Sequence, residues 1–147
     1  MAEQKIIHAT LVSLQNKGVL LKGKSGCGKS DLALRLIESK DAVLVADDMV
    51  ELNVGNNSLI GRAPQNLAGL LEVRGIGIVR YPYKKESAID LIVDLQNTRE
   101  NIERMPIMVK DIILGLEINK IDLYAEENSA PDKIVAALRK FGQSTTD

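Results

Sequence analysis

The sequence predicts an α/β domain built on a mixed sheet with few helices. Short apolar runs of strand length outnumber the segments with helical periodicity, and a glycine-rich loop lies between an apolar run and an amphipathic segment. Turn signals typical of hairpins also occur, although a strand–loop–helix unit leads to a crossover. Since hairpins join antiparallel strands and crossovers join parallel strands, their presence in one chain indicates a mixed sheet.

The first third of the chain predicts three strands and one helix. Apolar residues dominate 6–14 and 18–22, which favours a strand in each. In 30–39 the apolar residues recur at helical spacing, which predicts a helix directly after the glycine-rich loop. The run 42–46 is short, apolar and bounded by aspartates, as is typical of a buried strand.

The remainder of the chain predicts a hairpin, further strands and a closing helix. Residues 49–62 divide into two runs around Gly55, Asn56 and Asn57, which is a hairpin signal. Pro64 is expected to open a short helical turn. Further strands are predicted at 88–95, 107–114 and 116–123, a loop or short helix at 99–106, a helix at 131–141 and a frayed tail at 143–147.

Length and composition favour one domain, residues 1–147, and exclude several classes of protein. The formal net charge of −1 provides no basic surface by bulk count, which argues against a nucleic-acid partner. No apolar run approaches the ~20 residues of a membrane span, and the N-terminus lacks the apolar core of a secretory signal. We therefore expect no membrane association. A single cysteine allows no internal disulfide, so we expect a cytoplasmic location.

The glycine-rich loop matches the phosphate-binding pattern G-x-x-x-x-G-K-[ST], with a predicted strand before it and a predicted helix after it. Its backbone N–H groups and the following helix N-terminus favour phosphate, so we expect ATP here. Lys29 would bridge the β- and γ-phosphates, and the Ser30 hydroxyl would bind Mg²⁺. The alternative is a plain glycine-rich turn. The loop consists of Gly23, Lys24, Ser25, Gly26, Cys27, Gly28, Lys29 and Ser30.

Cys27 is the one residue of this loop with redox chemistry. A thiol near a helix N-terminus is more easily ionised and oxidised, which raises the hypothesis of redox control of ATP binding. The alternative is that any small residue serves at this position, and the sequence leaves both interpretations open.

Two adjacent carboxylates end the predicted strand in AVLVADD, residues 42–48. This resembles a Walker-B pattern, in which an aspartate serves Mg²⁺. With Asp47 and Asp48 side by side, one can serve the metal while the other accepts a proton from an attacking hydroxyl. A solvated pair before a hairpin is the alternative. Asp90 and Asp94 are rivals for the metal role, although their even spacing also fits a solvated sheet face.

The stretch Asn119–Asp122 matches N-K-x-D, the guanine-reading motif of GTPases. Glu117 interrupts the apolar run that precedes it, and no aspartate of the chain is followed three residues later by glycine, as the D-x-x-G motif requires. We therefore interpret this stretch as part of a strand or turn rather than as a guanine site.

The run LLEVRGIGIV, residues 70–79, contains eight apolar or glycine residues, as a buried strand would, yet Glu72 and Arg74 interrupt it. The phosphate-binding loop, LVADD and this run, in that order, resemble the bacterial HPr kinase/phosphorylase family, whose signature is L-E-[IV]-R-G-[IL]-G-I. The resemblance covers roughly residues 6–104 well. The two charges are improbable in a core and reasonable in a functional site.

The resemblance implies a P-loop kinase domain related to phosphoenolpyruvate carboxykinase. This family uses ATP and Mg²⁺ to phosphorylate a serine of HPr, the small carrier protein of the sugar phosphotransferase system, and thereby regulates carbon metabolism. Many members also run the reverse reaction with inorganic phosphate, giving pyrophosphate, and the family assembles as hexamers. The chain is similar to a short form that lacks an N-terminal domain and is associated with alphaproteobacteria.

The resemblance also implies roles for particular residues. Ser30 and Glu72 would hold Mg²⁺, and Asp48 would accept the serine proton and return it in the reverse reaction. Asp47 remains a further metal candidate from the strand-end pattern. The other implied site residues are His8, fifteen residues before the first glycine of the loop; Arg104, by a weaker match; Arg74, toward phosphate or Glu72; and Gly75 and Gly77, which would let the backbone approach the substrate. Taken alone, a histidine in an apolar strand such as His8 is more often structural.

Two alternative functions remain open from the sequence. A small-molecule P-loop kinase is disfavoured because no arginine-rich lid segment is present. A nucleotide-binding regulator without catalysis is disfavoured because Lys29, Ser30, Asp48 and Glu72 are all retained. The loop rich in proline and arginine that long family members use for dephosphorylation has no clear counterpart in 105–115, which argues against phosphorolysis more than against kinase action.

Overall fold

A nine-stranded mixed sheet forms the centre of the molecule, and the computed structural model describes residues 4–141 of the chain. A separate two-stranded hairpin and two helices complete the described part. The strands are β1 (Gln4–His8), β2 (Thr10–Leu14), β3 (Lys17–Lys22), β4 (Val43–Ala46), β5 (Met49–Gly55), β6 (Ser58–Arg62), β7 (Leu70–Val73), β8 (Gly77–Arg80), β9 (Ser87–Gln96), β10 (Val109–Ile113) and β11 (Leu116–Tyr124); the helices are α1 (Lys29–Lys40) and α2 (Ala130–Phe141), and a single 3₁₀ turn covers Gln65–Leu67.

The strand order of the large sheet is β1-β5-β6-β9-β3-β2-β4, and β11 with β10 extends it from β9. The neighbours β3, β9 and β11 run parallel, whereas the remaining pairs are antiparallel. The ten-residue β9 can serve β6 and β11 together because Ser87 and Ala88 pair with β6, while the later part of the strand pairs with β11. The predicted mixed α/β fold with few helices is therefore confirmed.

Two apolar clusters lie on the two faces of this sheet. Both helices cover one face, where Leu32 of α1 and Ile134 of α2 are completely buried. On the other face the sheet curls over itself, so that Leu52 of β5 packs in one cluster with Leu20 and Ile92. The parallel strands β3, β9 and β11 end at one edge of the sheet, the edge at which ligands bind in α/β sheets.

Most predicted elements are present, with boundaries within two residues. The predicted strand 6–14 is split at Ala9 into β1 and β2, and the predicted strand 107–114 is shortened to β10. The segment 99–106 contains neither helix nor strand, and the predicted tail 143–147 lies outside the described residues. No helix in residues 4–141 combines the length and apolar character that a membrane crossing requires.

The run 70–79, to which the sequence assigned no element, has the composition of a buried strand but a different structure. It forms the hairpin β7–β8 instead of one buried strand, because Gly75 and Gly77 adopt φ angles of 87° and 117° that turn the chain. Ile76 and Ile78 are consequently 77% and 63% exposed, so the apolar residues do not all form core. Leu71 is fully buried against α1 and attaches the hairpin to the sheet domain.

Candidate active site

The glycine-rich loop follows β3 and leads directly into α1, as the motif requires. Gly28 precedes the helix with a φ of 97°, and the Cys27 N–H donates to the Lys24 carbonyl at 3.1 Å to close a tight turn. A Cβ on Gly23 would lie 2.4 Å from the Cys27 sulfur, so only glycine fits there. The Lys29 ammonium spans the loop and donates to the Gly23 carbonyl at 2.8 Å and the Lys24 carbonyl at 3.2 Å. The loop therefore offers backbone N–H groups, a helix N-terminus and a lysine to one anion.

Cys27 lies inside the loop with only 7% of its surface exposed, and it packs in the apolar cluster beneath α1. A buried thiol in apolar surroundings is a poor target for oxidants. The structure therefore favours the interpretation of Cys27 as a small packing residue over the redox hypothesis.

Asp47 connects three parts of the site through its buried carboxylate, which is 7% exposed. Its Oδ1 accepts hydrogen bonds from the Ser30 hydroxyl at 2.7 Å and from the Thr10 hydroxyl at 2.9 Å. Its Oδ2 accepts the backbone N–H of Glu72 at 3.2 Å. One carboxylate therefore joins the phosphate-binding loop, β2 and the β7–β8 hairpin.

Asp48 points away from this buried position. The Met49 N–H donates to the Asp47 carbonyl at 2.8 Å, and Asp48 between them has a φ of 70°, which defines a γ-turn. The Asp48 carboxylate lies 3.9 Å from the His8 Nδ1, and the two side chains are 75% and 79% exposed. The two adjacent aspartates therefore face different surroundings: Asp47 faces Ser30 of the loop, whereas Asp48 and His8 both face solvent.

The hairpin places Glu72 beside Asp47 through its main chain, and the Glu72 side chain is exposed. Arg74 is exposed in the turn between β7 and β8. Cβ atoms at Gly75 and Gly77 would meet nothing within 4 Å, so their positive φ angles account for both glycines. Among the protein's own atoms, no close approach requires glycine at these two positions.

Arg104 and the rival aspartates do not join this arrangement. Arg104 is exposed between β9 and β10, and within residues 4–141 no hydrogen bond or ion pair links it to the site. The Asp90 carboxylate accepts the Gly18 N–H at 2.9 Å, and the Asp94 carboxylate lies 3.7 Å from the Lys120 ammonium. Asp47 contacts Ser30 of the loop, whereas Asp90 and Asp94 have the other partners given above. Lys120 lies within β11, which agrees with the strand interpretation of the N-K-x-D stretch.

Several residues near the site were not identified from the sequence. Thr10 is fully buried and bonds Asp47, and its only signal was a polar residue between apolar neighbours. A groove of about 630 Å³ beside the loop is lined by His8 and Lys24 together with Asn97, Thr98 and Asn101, which follow β9. Lys24 and Asn97 meet because the parallel strands β3 and β9 end at the same edge of the sheet, and His8 reaches this edge from the end of β1.

The donor set fits a Mg²⁺–nucleotide complex. The side chains of Ser30 and Asp47 meet here, and Glu72 joins them through its main chain; all three residues carry oxygen atoms, the ligands that Mg²⁺ prefers. In the described part of the chain no three His, Cys, Asp or Glu residues are grouped to hold a metal by themselves. Mg²⁺ bound with a nucleotide takes most of its ligands from phosphates and water, so one or two protein oxygens are sufficient.

Comparison with curated proteins identifies relatives over most of the chain. The HPr kinase/phosphorylase of Caldicellulosiruptor bescii is 37% identical over 122 residues, covering 76% of this chain and 39% of the relative. The HPr kinase/phosphorylase of Lactobacillus delbrueckii subsp. bulgaricus is 32% identical over 146 residues, covering 92% of this chain and 46% of the relative. The chain thus spans less than half the length of these two relatives.

Structural and family comparisons agree with this similarity. A solved structure described as the Hpr(Ser) kinase/phosphatase from Coxiella burnetii superposes with a TM-score of 0.82 at 29% sequence identity, covering 92% of this chain and 95% of that one. The profile of the family described as HPr Serine kinase C-terminal domain matches residues 1–143. A match over nearly the whole chain, together with the shared fold, shows that this protein belongs to the HPr serine kinase C-terminal domain family.

Proposed function

We propose that this chain is an ATP-dependent protein kinase that phosphorylates a serine of HPr and so regulates the sugar phosphotransferase system and carbon metabolism. The observation that carries the proposal is that two adjacent carboxylates occupy different positions in the site. Asp47 contacts Ser30 of the phosphate-binding loop, whereas Asp48 and His8 face solvent, where a protein substrate can reach them. The names of the relatives, HPr kinase/phosphorylase and Hpr(Ser) kinase/phosphatase, support HPr as the substrate.

The phosphates of ATP would bind the backbone N–H groups of Gly23–Ser30, with Lys29 leaving its loop carbonyls to contact the β- and γ-phosphates. Ser30, Asp47 and Glu72 are the residues that would hold Mg²⁺, directly or through water. When bound, Mg²⁺ neutralises charge on the phosphates during transfer.

The transfer itself is a displacement at the γ-phosphorus. The substrate serine oxygen forms a bond to that phosphorus, the bond to the bridging oxygen of ADP breaks, and Asp48 accepts the serine proton. Lys29 stabilises the charge that develops on the phosphoryl oxygens. His8, beside Asp48, would assist in orienting the reacting groups, and Arg74 and Arg104 are further candidates for contacts with phosphate.

In the reverse direction, inorganic phosphate would attack phosphoserine, pyrophosphate would form, and Asp48 would return the proton to the serine oxygen. The same carboxylate can serve both directions because a general base for one is the general acid for the other. By resemblance to the family we also propose a hexameric assembly in the cytoplasm. Neither nucleic acid nor membrane enters the proposal as a partner.

The test is to mix the protein with ATP, Mg²⁺ and HPr and to follow phosphoserine on HPr by mass spectrometry. We expect one phosphoryl group per HPr, and none on HPr whose target serine is replaced by alanine. ATP binding by a folded protein without transfer to HPr would refute the proposal and favour a non-catalytic regulator. ATP consumption that requires a small molecule instead of HPr would favour a small-molecule kinase.

A further inference from the structure

We propose that Thr10 is a positioning residue that holds the Asp47 carboxylate toward Ser30 and thereby sets the affinity of the site for Mg²⁺. This inference rests on the proposed Mg²⁺–ATP site. It goes beyond the proposed function because Thr10 would touch neither ATP nor the metal and would act through Asp47.

Thr10 contacts the Asp47 carboxylate directly. Thr10 is the first residue of β2, and none of its surface is exposed. Its hydroxyl donates to the Asp47 Oδ1 at 2.9 Å, and the same oxygen accepts the Ser30 hydroxyl at 2.7 Å. Two donors from different elements therefore converge on one carboxylate oxygen.

A second contact defines the plane of the carboxylate. The other oxygen, Oδ2, accepts the Glu72 N–H at the longer distance of 3.2 Å. The terminal torsion of an aspartate is broad and roughly two-fold, so hydrogen bonds decide where its oxygens point. Without the Thr10 hydroxyl, Ser30 and one long contact would remain to orient Asp47, and Asp47 is too buried for water to replace the lost donor freely.

The consequence for Mg²⁺ follows from the role of Ser30. A serine hydroxyl can coordinate a metal through oxygen while its hydrogen remains donated to Asp47. An Asp47 carboxylate that rotates would misdirect that hydroxyl. Removing a hydrogen-bond partner that orients metal ligands typically costs about 10–100-fold in metal affinity. The loss should therefore be specific to nucleotide binding in the presence of Mg²⁺.

The test compares Thr10→Val, which keeps the shape of threonine without its hydroxyl, with Thr10→Ser, which keeps the hydroxyl. ATP binding is measured by calorimetry with Mg²⁺ and with EDTA. We expect Thr10→Val to weaken ATP binding about 10–100-fold with Mg²⁺ and to leave binding in EDTA unchanged, whereas Thr10→Ser behaves as wild type. Thr10→Ala should reproduce the Mg²⁺-specific loss and serves if Thr10→Val does not fold.

Ser13→Ala is the matched control, because Ser13 lies on the same strand, is 4% exposed and bonds Lys84 instead of Asp47. Wild-type affinity of the apolar Thr10 variants with Mg²⁺, or an equal loss with Mg²⁺ and EDTA, overturns the inference. The same Mg²⁺-specific loss in Ser13→Ala overturns it as well. If Mg²⁺ does not strengthen ATP binding to the wild-type protein, the proposed metal site fails together with this inference.

Discussion

Replacing Asp48 by glycine and, separately, by alanine tests whether backbone strain directs the paired carboxylates. Asp48 has a φ of 70° within the γ-turn that the Met49 N–H closes onto the Asp47 carbonyl. A non-glycine residue in such a conformation costs about 1–3 kcal/mol, with aspartate toward the low end because its side chain tolerates positive φ. Glycine removes this cost but adds about 0.5–1 kcal/mol of unfolded-chain entropy.

The lost side-chain contact contributes little to these variants. The Asp48 and His8 side chains are 75% and 79% exposed and 3.9 Å apart, and exposed pairs of this kind contribute about 0–1 kcal/mol. Alanine keeps the unfavourable φ and loses the polar group that makes aspartate tolerant of it. We therefore expect Asp48→Gly to be about 1–2 kcal/mol more stable than Asp48→Ala, which is roughly 2–8 °C in Tm for a domain of this size.

Urea denaturation measures the stability of each variant, and phosphoryl transfer to HPr is assayed on the same samples. Transfer should be lost in both Asp48 variants because neither has a carboxylate. Asp41 provides the control because it has a φ of 58° at the C-terminal end of α1, the end away from the phosphate-binding loop. Asp41→Gly should also be more stable than Asp41→Ala, and both should retain phosphoryl transfer. If the two Asp41 variants differ in stability and the two Asp48 variants do not, Asp48 is unstrained and the reasoning is refuted.

Two further variants test the site, and a third tests the contacts between α1 and the segment that follows β11. Asp48→Asn should abolish transfer to HPr but retain ATP binding, because an amide cannot accept the proton; loss of ATP binding by calorimetry would contradict this role. Glu72→Gln should raise the Mg²⁺ concentration needed for half-maximal transfer, and an unchanged Mg²⁺ titration would remove Glu72 from the metal site. Arg35→Ala should lower the free energy of unfolding by about 2 kcal/mol, because its guanidinium donates at 2.5 Å to the carbonyls of both Ala125 and Glu127. Wild-type stability in urea would show that these contacts contribute nothing.

The local elements could be predicted because their signals are local. The helix after the phosphate-binding loop followed from apolar spacing in 30–39, and α1 extends it by one residue at each end. The hairpin around Asn56 and Asn57 followed from turn residues, and both adopt positive φ angles. The hairpin at 70–79 was missed because glycines within an apolar run are compatible with a loosened strand as well as with a turn.

Long-range contacts account for what the sequence could not place. Thr10 lies far from Asp47 along the chain, and only the pairing of β2 with β4 brings them within hydrogen-bond distance. The same pairing shifts register between Leu11 and Val12, so strand alternation alone does not tell which aspartate after β4 faces inward. The residues of the groove beyond β9 likewise meet His8 only across the edge of the sheet.

By itself the sequence determined the phosphate-binding loop, the mixed α/β class and the resemblance to the HPr kinase family, because glycine positions, apolar periodicity and a continuous signature are written in consecutive residues. The tertiary structure decided which aspartate of the pair is buried and which faces solvent. Burial behind Thr10, Ser30 and the Glu72 main chain turns Asp47 inward, while a γ-turn directs Asp48 toward His8. Both outcomes depend on strands that are distant in sequence and adjacent in the sheet, which is the physical reason that the sequence left them open.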